Sequence, residues 1–276
     1  MDRLYFGVTG VPSGARRPTS EAGVERVKEL GLEAMELAWV RGVKMGEASA
    51  ERLGAVARAQ GIRLSAHAAY YINLNAEEED LRARGRERIL KAARIGALCG
   101  VSSVVFHAAA YMGRSPAEVY AIVKDQLQEI SDMLRAEGNT VQLRPEITGK
   151  DTYFGSLDEL LRLASEVEGV APCVDFAHLH ARTGGAYNSY DEFASILQSI
   201  SDQLGREALD NMHIHAGGIE YSAKGERKHL MLKESDFRYD ELLKVLKDFD
   251  VKGLLICESP DPASDAVLMR DTYRSL

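Results

Sequence analysis

The stretch Ser103-Val104-Val105-Phe106-His107, followed by Ser115-Pro116-Ala117-Glu118 and closing at Gly138, decides the fold. Its first part is a short β-branched run ending in a histidine, the composition of a buried strand. The second part opens as a helix: Ser115 is an N-cap, Pro116 fills the first helical position, and Glu118 stands where a capping box needs a carboxylate. Val119, Ile122, Val123, Leu127, Ile130 and Leu134 then recur at helical spacing, and Gly138 stands where a C-cap is wanted. Another apolar run, Thr140–Leu143, follows at once. Strand, helix and strand in this order form a βα unit, because a parallel return needs a crossover of a dozen or more residues.

The same pattern extends both ways. Leu4–Val8, Ala34–Ala38 and Arg63–Ala66 precede the unit, and Ala171–Val174, Asn211–Ile214 and Gly253–Cys257 follow it. That makes eight candidate strands, spaced about 36 residues apart. Ser156…Glu159 and Ser189…Glu192 repeat the capping-box spacing ahead of further helices. There is no Pro/Ser-rich linker, low-complexity tract or sequence repeat. The expectation is an α/β fold, a single (β/α)8 TIM barrel spanning residues 1–276, with an open doubly wound sheet as the alternative.

Composition agrees. Of 276 residues, 45% are apolar and 28% charged, enough to bury a sizeable core. The net charge of −8 argues against a surface coated in basic residues but leaves room for a local basic patch. Cys99, Cys173 and Cys257 lie far apart without a CxxC pair, so neither a disulfide framework nor a thiolate zinc knuckle is expected. Met1-Asp2-Arg3-Leu4-Tyr5 lacks a signal-peptide pattern, and no run approaches the roughly 18 apolar residues of a membrane span. A cytoplasmic protein with no membrane and no obligate protein partner is the expectation.

Barrel chemistry collects at the C-terminal ends of the strands. Just past the runs stand His67, His107, Glu146, Asp175, His178, His213 and Glu258, whereas the first two strands offer no comparable ligand. Imidazole and carboxylate are ligands for Zn²⁺, Mn²⁺ or Fe, and without usable thiolates they indicate a catalytic rather than a structural site. The set exceeds one tetrahedral ion, so more than one metal is implied, with a carboxylate such as Glu146 able to bridge two. A lone histidine at a strand end is more often a hydrogen-bonded structural group. Seven such groups on one rim would leave many buried polar atoms unsatisfied without a metal. His215, two residues after His213 on the same strand face, is a supporting or substrate-facing candidate, and His180 reads as structural.

At these residues the sequence resembles the endonuclease IV family of abasic-site DNA-repair enzymes, within the wider xylose-isomerase-like barrel superfamily. The resemblance runs in order along nearly the whole chain. It rests on Ala66-His67-Ala68-Ala69-Tyr70-Tyr71-Ile72-Asn73-Leu74, Phe106-His107, Pro145-Glu146-Ile147-Thr148-Gly149 and Cys173-Val174-Asp175-Phe176-Ala177-His178, completed by Met212-His213 and Cys257-Glu258-Ser259-Pro260. It implies two or three Zn²⁺ ions, with Mn²⁺ as the alternative metal. His67, His107 and Glu146 would hold the first, and Glu146, Asp175, His213 and Glu258 the second. His178 would belong to a third, which the family completes with an Asp-x-His pair. Here that segment reads Gly225-Glu226-Arg227-Lys228-His229-Leu230. A gapless match puts Lys228 where a histidine is expected, and an ammonium cannot ligate zinc. Glu226 with His229 restores the pair after a one-residue shift. Otherwise the site is dinuclear, and Lys228 supplies the third positive charge to a phosphate.

The implied reaction is hydrolysis of the phosphodiester 5′ to an abasic site in double-stranded DNA, with Glu146 as the catalytic carboxylate orienting the attacking water. The family inserts loop side chains into the duplex, and Tyr70 and Tyr71 sit where such wedges fall. Basic residues after the strands, Arg41, Lys150, Arg227 and Lys228 first among them, are candidate phosphate contacts, joined by Arg16, Arg17, Lys44, Arg114, Arg182 and Lys224. Arg82, Arg84, Arg86 and Arg88 read instead as a solvated helix face. The rival within the same superfamily is a single-metal sugar isomerase or epimerase that uses only Glu146, Asp175, His213 and Glu258 with Mn²⁺ or Mg²⁺. That reading leaves His67 and His107 without a use.

Overall fold

The computed structural model describes residues 1–276. Eight strands form one parallel sheet: β1 (Leu4–Thr9), β2 (Ala34–Ala38), β3 (Arg63–His67), β4 (Val101–Phe106), β5 (Gln142–Pro145), β6 (Cys173–Asp175), β7 (Met212–Ala216) and β10 (Gly253–Cys257). Their order is β5-β4-β3-β2-β1-β10-β7-β6. The two ends meet through the parallel bridges Leu143↔Val170 and Glu146↔Cys173, so the sheet curls into a nearly closed barrel. This is the expected (β/α)8 barrel. Its strands are buried on both faces, as a parallel sheet wrapped in helices requires.

The helices are α1 (Ser20–Glu29), α2 (Glu47–Gln60), α3 (Glu79–Cys99), α4 (Pro116–Ala136), α5 (Leu157–Glu166), α6 (Phe176–Arg182), α7 (Tyr190–Leu204), α8 (Arg206–Leu209), α9 (Tyr239–Asp248) and α10 (Pro262–Ser275). Ser115 and Ser156 both form complete capping boxes, with Glu118 and Glu159 reaching back to the cap backbone. Ser189 does not close a capping box. Its hydroxyl donates to Glu192 at 2.6 Å, and Glu192 also accepts the N–H groups of Tyr187 and Asn188. No helix is long and apolar enough to cross a membrane.

Five strands run further than the apolar runs implied, β1 and β3 by a single residue. Strand β5 is displaced to Gln142–Pro145 and β6 to Cys173–Asp175, while β7 continues to Ala216. Polar side chains that face the barrel interior, among them Arg144, Asp175 and His215, interrupt the hydrophobic signal where strands feed a site; all three are buried. The one unexpected element is an antiparallel hairpin, β8 (Gly218–Ser222) with β9 (Gly225–Leu230), raised beyond β7. Its exposed, charged sequence reads as a loop.

Candidate metal centre

Glu146 is the hub. It follows β5, is fully buried, and its two oxygens serve different neighbours. Oε2 lies 3.0 Å from His67 Nε2 and 2.8 Å from His107 Nε2. Oε1 lies 3.0 Å from His215 Nδ1 and 3.4 Å from His178 Nδ1. His67 ends β3 and His107 follows β4, so adjacent strands deliver the first pair. Asp175 ends β6 and caps α6, accepting the His178 N–H at 2.7 Å, which fixes both side chains of the Asp-x-x-His block together. Glu258 follows β10, its oxygens 3.5 Å from His215 Nδ1 and 3.9 Å from His229 Nε2.

Four groups of potential ligands result: His67, His107 and Glu146; Glu146, Asp175, His215 and Glu258; His178, His229 and Glu258; and, deeper in the barrel, Cys173, His213 and His215. Glu146 belongs to the first and second, Glu258 to the second and third. Two observations test whether such groups suit a metal. His67 Nδ1 donates to the Ala68 carbonyl (2.9 Å) and His178 Nδ1 to that of Ile147 (3.0 Å), which turns each Nε2 toward the cluster, where giving up its proton would make it a ligand atom. Asp175 Oδ2 and His229 Nδ1 are buried with no hydrogen-bond partner. The donor set fits Zn²⁺-class cations.

Within the cluster, charges compensate one another. Burial alone would depress the His67 imidazole, but its hydrogen bond to Glu146 raises it to about 9. Burial also opposes the charged form of Glu146, yet His107 and His215 hold it well below the carboxylate range. His178 is pushed well up, burial being outweighed by Asp175 and Glu146, and burial drives Asp175 upward.

His213, expected as the ligand from β7, is not beside Glu146. It lies one layer deeper, where its Nε2 donates to Glu36 (3.0 Å) and its Nδ1 accepts from Ser103 (2.9 Å). Burial lowers it to about 4, so it is neutral. His215 takes the rim position because β7 continues two residues beyond the apolar run, and side chains two apart share a face. Sequence reading missed Glu36, in the middle of β2 and fully buried. It accepts from Ser65 at 2.9 Å, and its Oε1 lies 3.1 Å from His215 Nε2. A buried carboxylate inside an apolar strand was the available signal.

A β-bulge sets the geometry around His178. In the hairpin Glu220 pairs with Lys228 and Tyr221 with Glu226, so Arg227 is the extra residue. The bulge brings Glu226, whose Oε2 is 3.6 Å from His178 Nε2, and His229 to the same face despite their spacing of three. Lys228 turns away, and both it and Arg227 pair with Glu220. Gly149 permits this approach, since a Cβ there would meet the Glu226 side chain at 2.6 Å. His180 is held by Ala186 and Asp236, away from the cluster. At the rim Tyr70 and Tyr71 are 66% and 43% exposed, ring edge against face. Lys150 and Arg41 are exposed, whereas Arg182 and Arg114 are engaged in loop hydrogen bonds.

A family model described as a xylose isomerase-like TIM barrel matches residues 24–276. The chain belongs to the xylose isomerase-like TIM-barrel family. Within it, an uncharacterised protein of Methanocaldococcus jannaschii is 45% identical over 273 residues, covering 99% of this chain and 98% of that one. A probable endonuclease 4 of Heliobacterium modesticaldum is 27% identical over 209 residues, covering 73% and 72%. Endonuclease IV from Thermus thermophilus superposes with a TM-score of 0.74 at 22% identity, over 99% of this chain and all (100%) of that one. A D-tagatose 3-epimerase-like protein superposes at 0.73 with 19% identity, over 98% and 96%. Both kinds of neighbour share the family barrel, so the fold does not choose between them.

Proposed function

We propose that this chain is a metal-dependent DNA-repair phosphodiesterase that hydrolyses the bond 5′ to abasic sites in duplex DNA. The observation that carries the reading is the division of Glu146 between two ligand groups, one of which is completed by His67 and His107. A one-metal enzyme has no use for those two imidazoles. The endonuclease 4 similarity in sequence supports the same reading.

His67, His107 and Glu146 would hold one cation, Glu146, Asp175, His215 and Glu258 a second, and His178 and His229, with Glu226 or Glu258, a third. Bound there, Zn²⁺ (or Mn²⁺) would supply positive charge against a developing phosphoryl oxyanion and make water acidic enough to ionise near neutral pH. Glu146, kept ionised, orients the attacking water by accepting its hydrogen bond. Tyr70 and Tyr71, exposed beside His67, are positioned to press into a duplex that lacks a base. Arg41, Lys150, Arg227 and Lys228 contact backbone phosphates.

A second reading has its own support. Glu146, Asp175, His215 and Glu258 already make a four-ligand set for one Mn²⁺ or Mg²⁺, as a sugar epimerase would use. Elemental analysis of purified protein separates the two: two or three tightly held ions per chain are expected for the nuclease, and one exchangeable ion would favour the epimerase.

A further inference from the structure

Along α3 the cations fall into two classes. Arg82 and Arg86 share Glu79, Arg86 also faces Glu129, and Arg94 lies between Glu87 and Glu137. Arg84, Arg88 and Lys91, on the same helix, have no acidic partner; Arg84 points into solvent, and only Arg88 and Lys91 border a cleft. Arg88 and Lys91 face the loop after β2, where Arg41 and Lys44 are equally unpaired. These four side chains line one cleft of about 170 Å³ together with Gly42, Val43 and Ala69, and no carboxylate borders it.

Four like charges around one cleft repel one another, and in a chain of net charge −8 the absence of any counter-ion is not a default outcome. The cleft is also held in shape. The Arg88 guanidinium stacks over Tyr71 with its carbon 4.4 Å from the ring centroid, which fixes the plane of its N–H donors. Gly42, at φ +90°, lets the loop close against Tyr71, because a Cβ there would come within 3.2 Å of the phenol oxygen. Ala69 joins the cleft to the end of β3, two residues beyond His67.

We propose that this cleft is a phosphoryl-binding site separate from the metal centre, at the root of the Tyr70–Tyr71 loop. Its ligand is a phosphate remote from the reacting bond, carried either by a nucleic-acid backbone or by a phosphorylated sugar. Planar guanidinium donors and flexible ammonium groups suit a tetrahedral oxyanion. The backbone version rests on the nuclease reading; the phosphoryl class does not.

The test uses the double variant Arg88→Ala/Lys91→Ala, with Arg84→Ala as the control, since Arg84 is on the same helix but outside the cleft. Binding of a labelled undamaged duplex is followed by anisotropy from about 50 to 200 mM salt, and calorimetry follows inorganic phosphate and ribose 5-phosphate. For a backbone phosphate, the double variant binds the duplex several-fold more weakly and its log–log salt slope is shallower by roughly 0.9, one phosphate contact, while the control is unchanged. For a sugar phosphate, ribose 5-phosphate and inorganic phosphate bind the wild type and lose at least tenfold in the variant, while duplex binding stays put. That result keeps the cleft and counts against the nuclease. An unchanged slope with no phosphate binding, or an effect matched by Arg84→Ala, overturns the proposal. Nicking is read separately, so a failed nuclease does not by itself move these results.

Discussion

Two polar layers lie one above the other inside the barrel, built from the same residue types and left in different states. In the lower layer, Ser65 and His213 both donate to one oxygen of Glu36, and Ser103 donates to His213. In the upper layer, four imidazoles crowd onto Glu146; Asp175 Oδ2, 3.2 Å from His178 Nδ1, and His229 Nδ1 make no hydrogen bond there, as Glu36 Oε1 makes none below. His215 links the two, with Glu36 on one side and Glu146 on the other. The layers differ less in unsatisfied atoms than in how donors converge: hydroxyl and neutral imidazole closing on one carboxylate oxygen make a support, whereas four imidazoles and further carboxylates gathered around Glu146 make a donor set that fits a cation.

The sharpest way to break this contrast is at the hub. Glu146→Gln keeps the volume but removes the shared charge, so nicking should fall to background while the circular dichroism spectrum and duplex affinity stay near wild type. Near-normal cleavage would remove Glu146 from its role. Next, the two histidines of β7 should behave oppositely. His213→Ala strips the buried Glu36 of a hydrogen-bond donor, and leaving a buried acceptor short typically costs about 1–3 kcal/mol, read by urea unfolding, with the metal count unchanged. His215→Ala should instead lower the metal count. If both variants lose metal alike, the layers are not distinct.

Smaller effects sharpen the picture at its edge. His229→Ala should reduce bound zinc by one ion, and Lys228→Ala should not, as zinc titration with a chromogenic chelator would show. A pH series follows from His67. Its folded-state value of about 9 lies above the ordinary imidazole value of 6.5, so in metal-free protein its stabilising contribution is full below about pH 6.5 and gone above about 9. Thermal melts of chelator-stripped protein should therefore soften across that window, whereas metal-loaded protein should stay flatter. Least affected are the thiols. Burial pushes Cys99 and Cys257 up to about 12 and raises Cys173 as well, so folded protein should resist maleimide at pH 7 until denaturant is added.

Much of this was legible in the sequence, for physical reasons that also explain the misses. Capping boxes at Ser115 and Ser156 are local, and both formed. Eight apolar runs at βα spacing specified the barrel, and His67, His107, Glu146, Asp175, His178 and Glu258 all reached one cluster. The difficulty lay where polar residues enter strands. An apolar run ends at the first inward-facing polar residue, so the pattern of β7 stops near His213 although the backbone carries His215 to the rim. Glu36 escaped for the same reason, being a carboxylate inside a strand with partners on β3 and β7. The Arg227 bulge depends on pairing between two strands of a hairpin, which no single-strand pattern contains.

Hydrolysis of DNA at a lesion, proposed for the Glu146 cluster, meets its most direct test in one measurement. A duplex carrying a single tetrahydrofuran abasic analogue is incubated with metal-loaded protein, and the products are sized on a denaturing gel. The analogue has no aldehyde, so β-elimination cannot cut it. The account predicts a single nick on the 5′ side, lost on chelation, restored by zinc and absent in Glu146→Gln. An intact duplex, with protein that holds one exchangeable Mn²⁺ and epimerises a ketose, would contradict it.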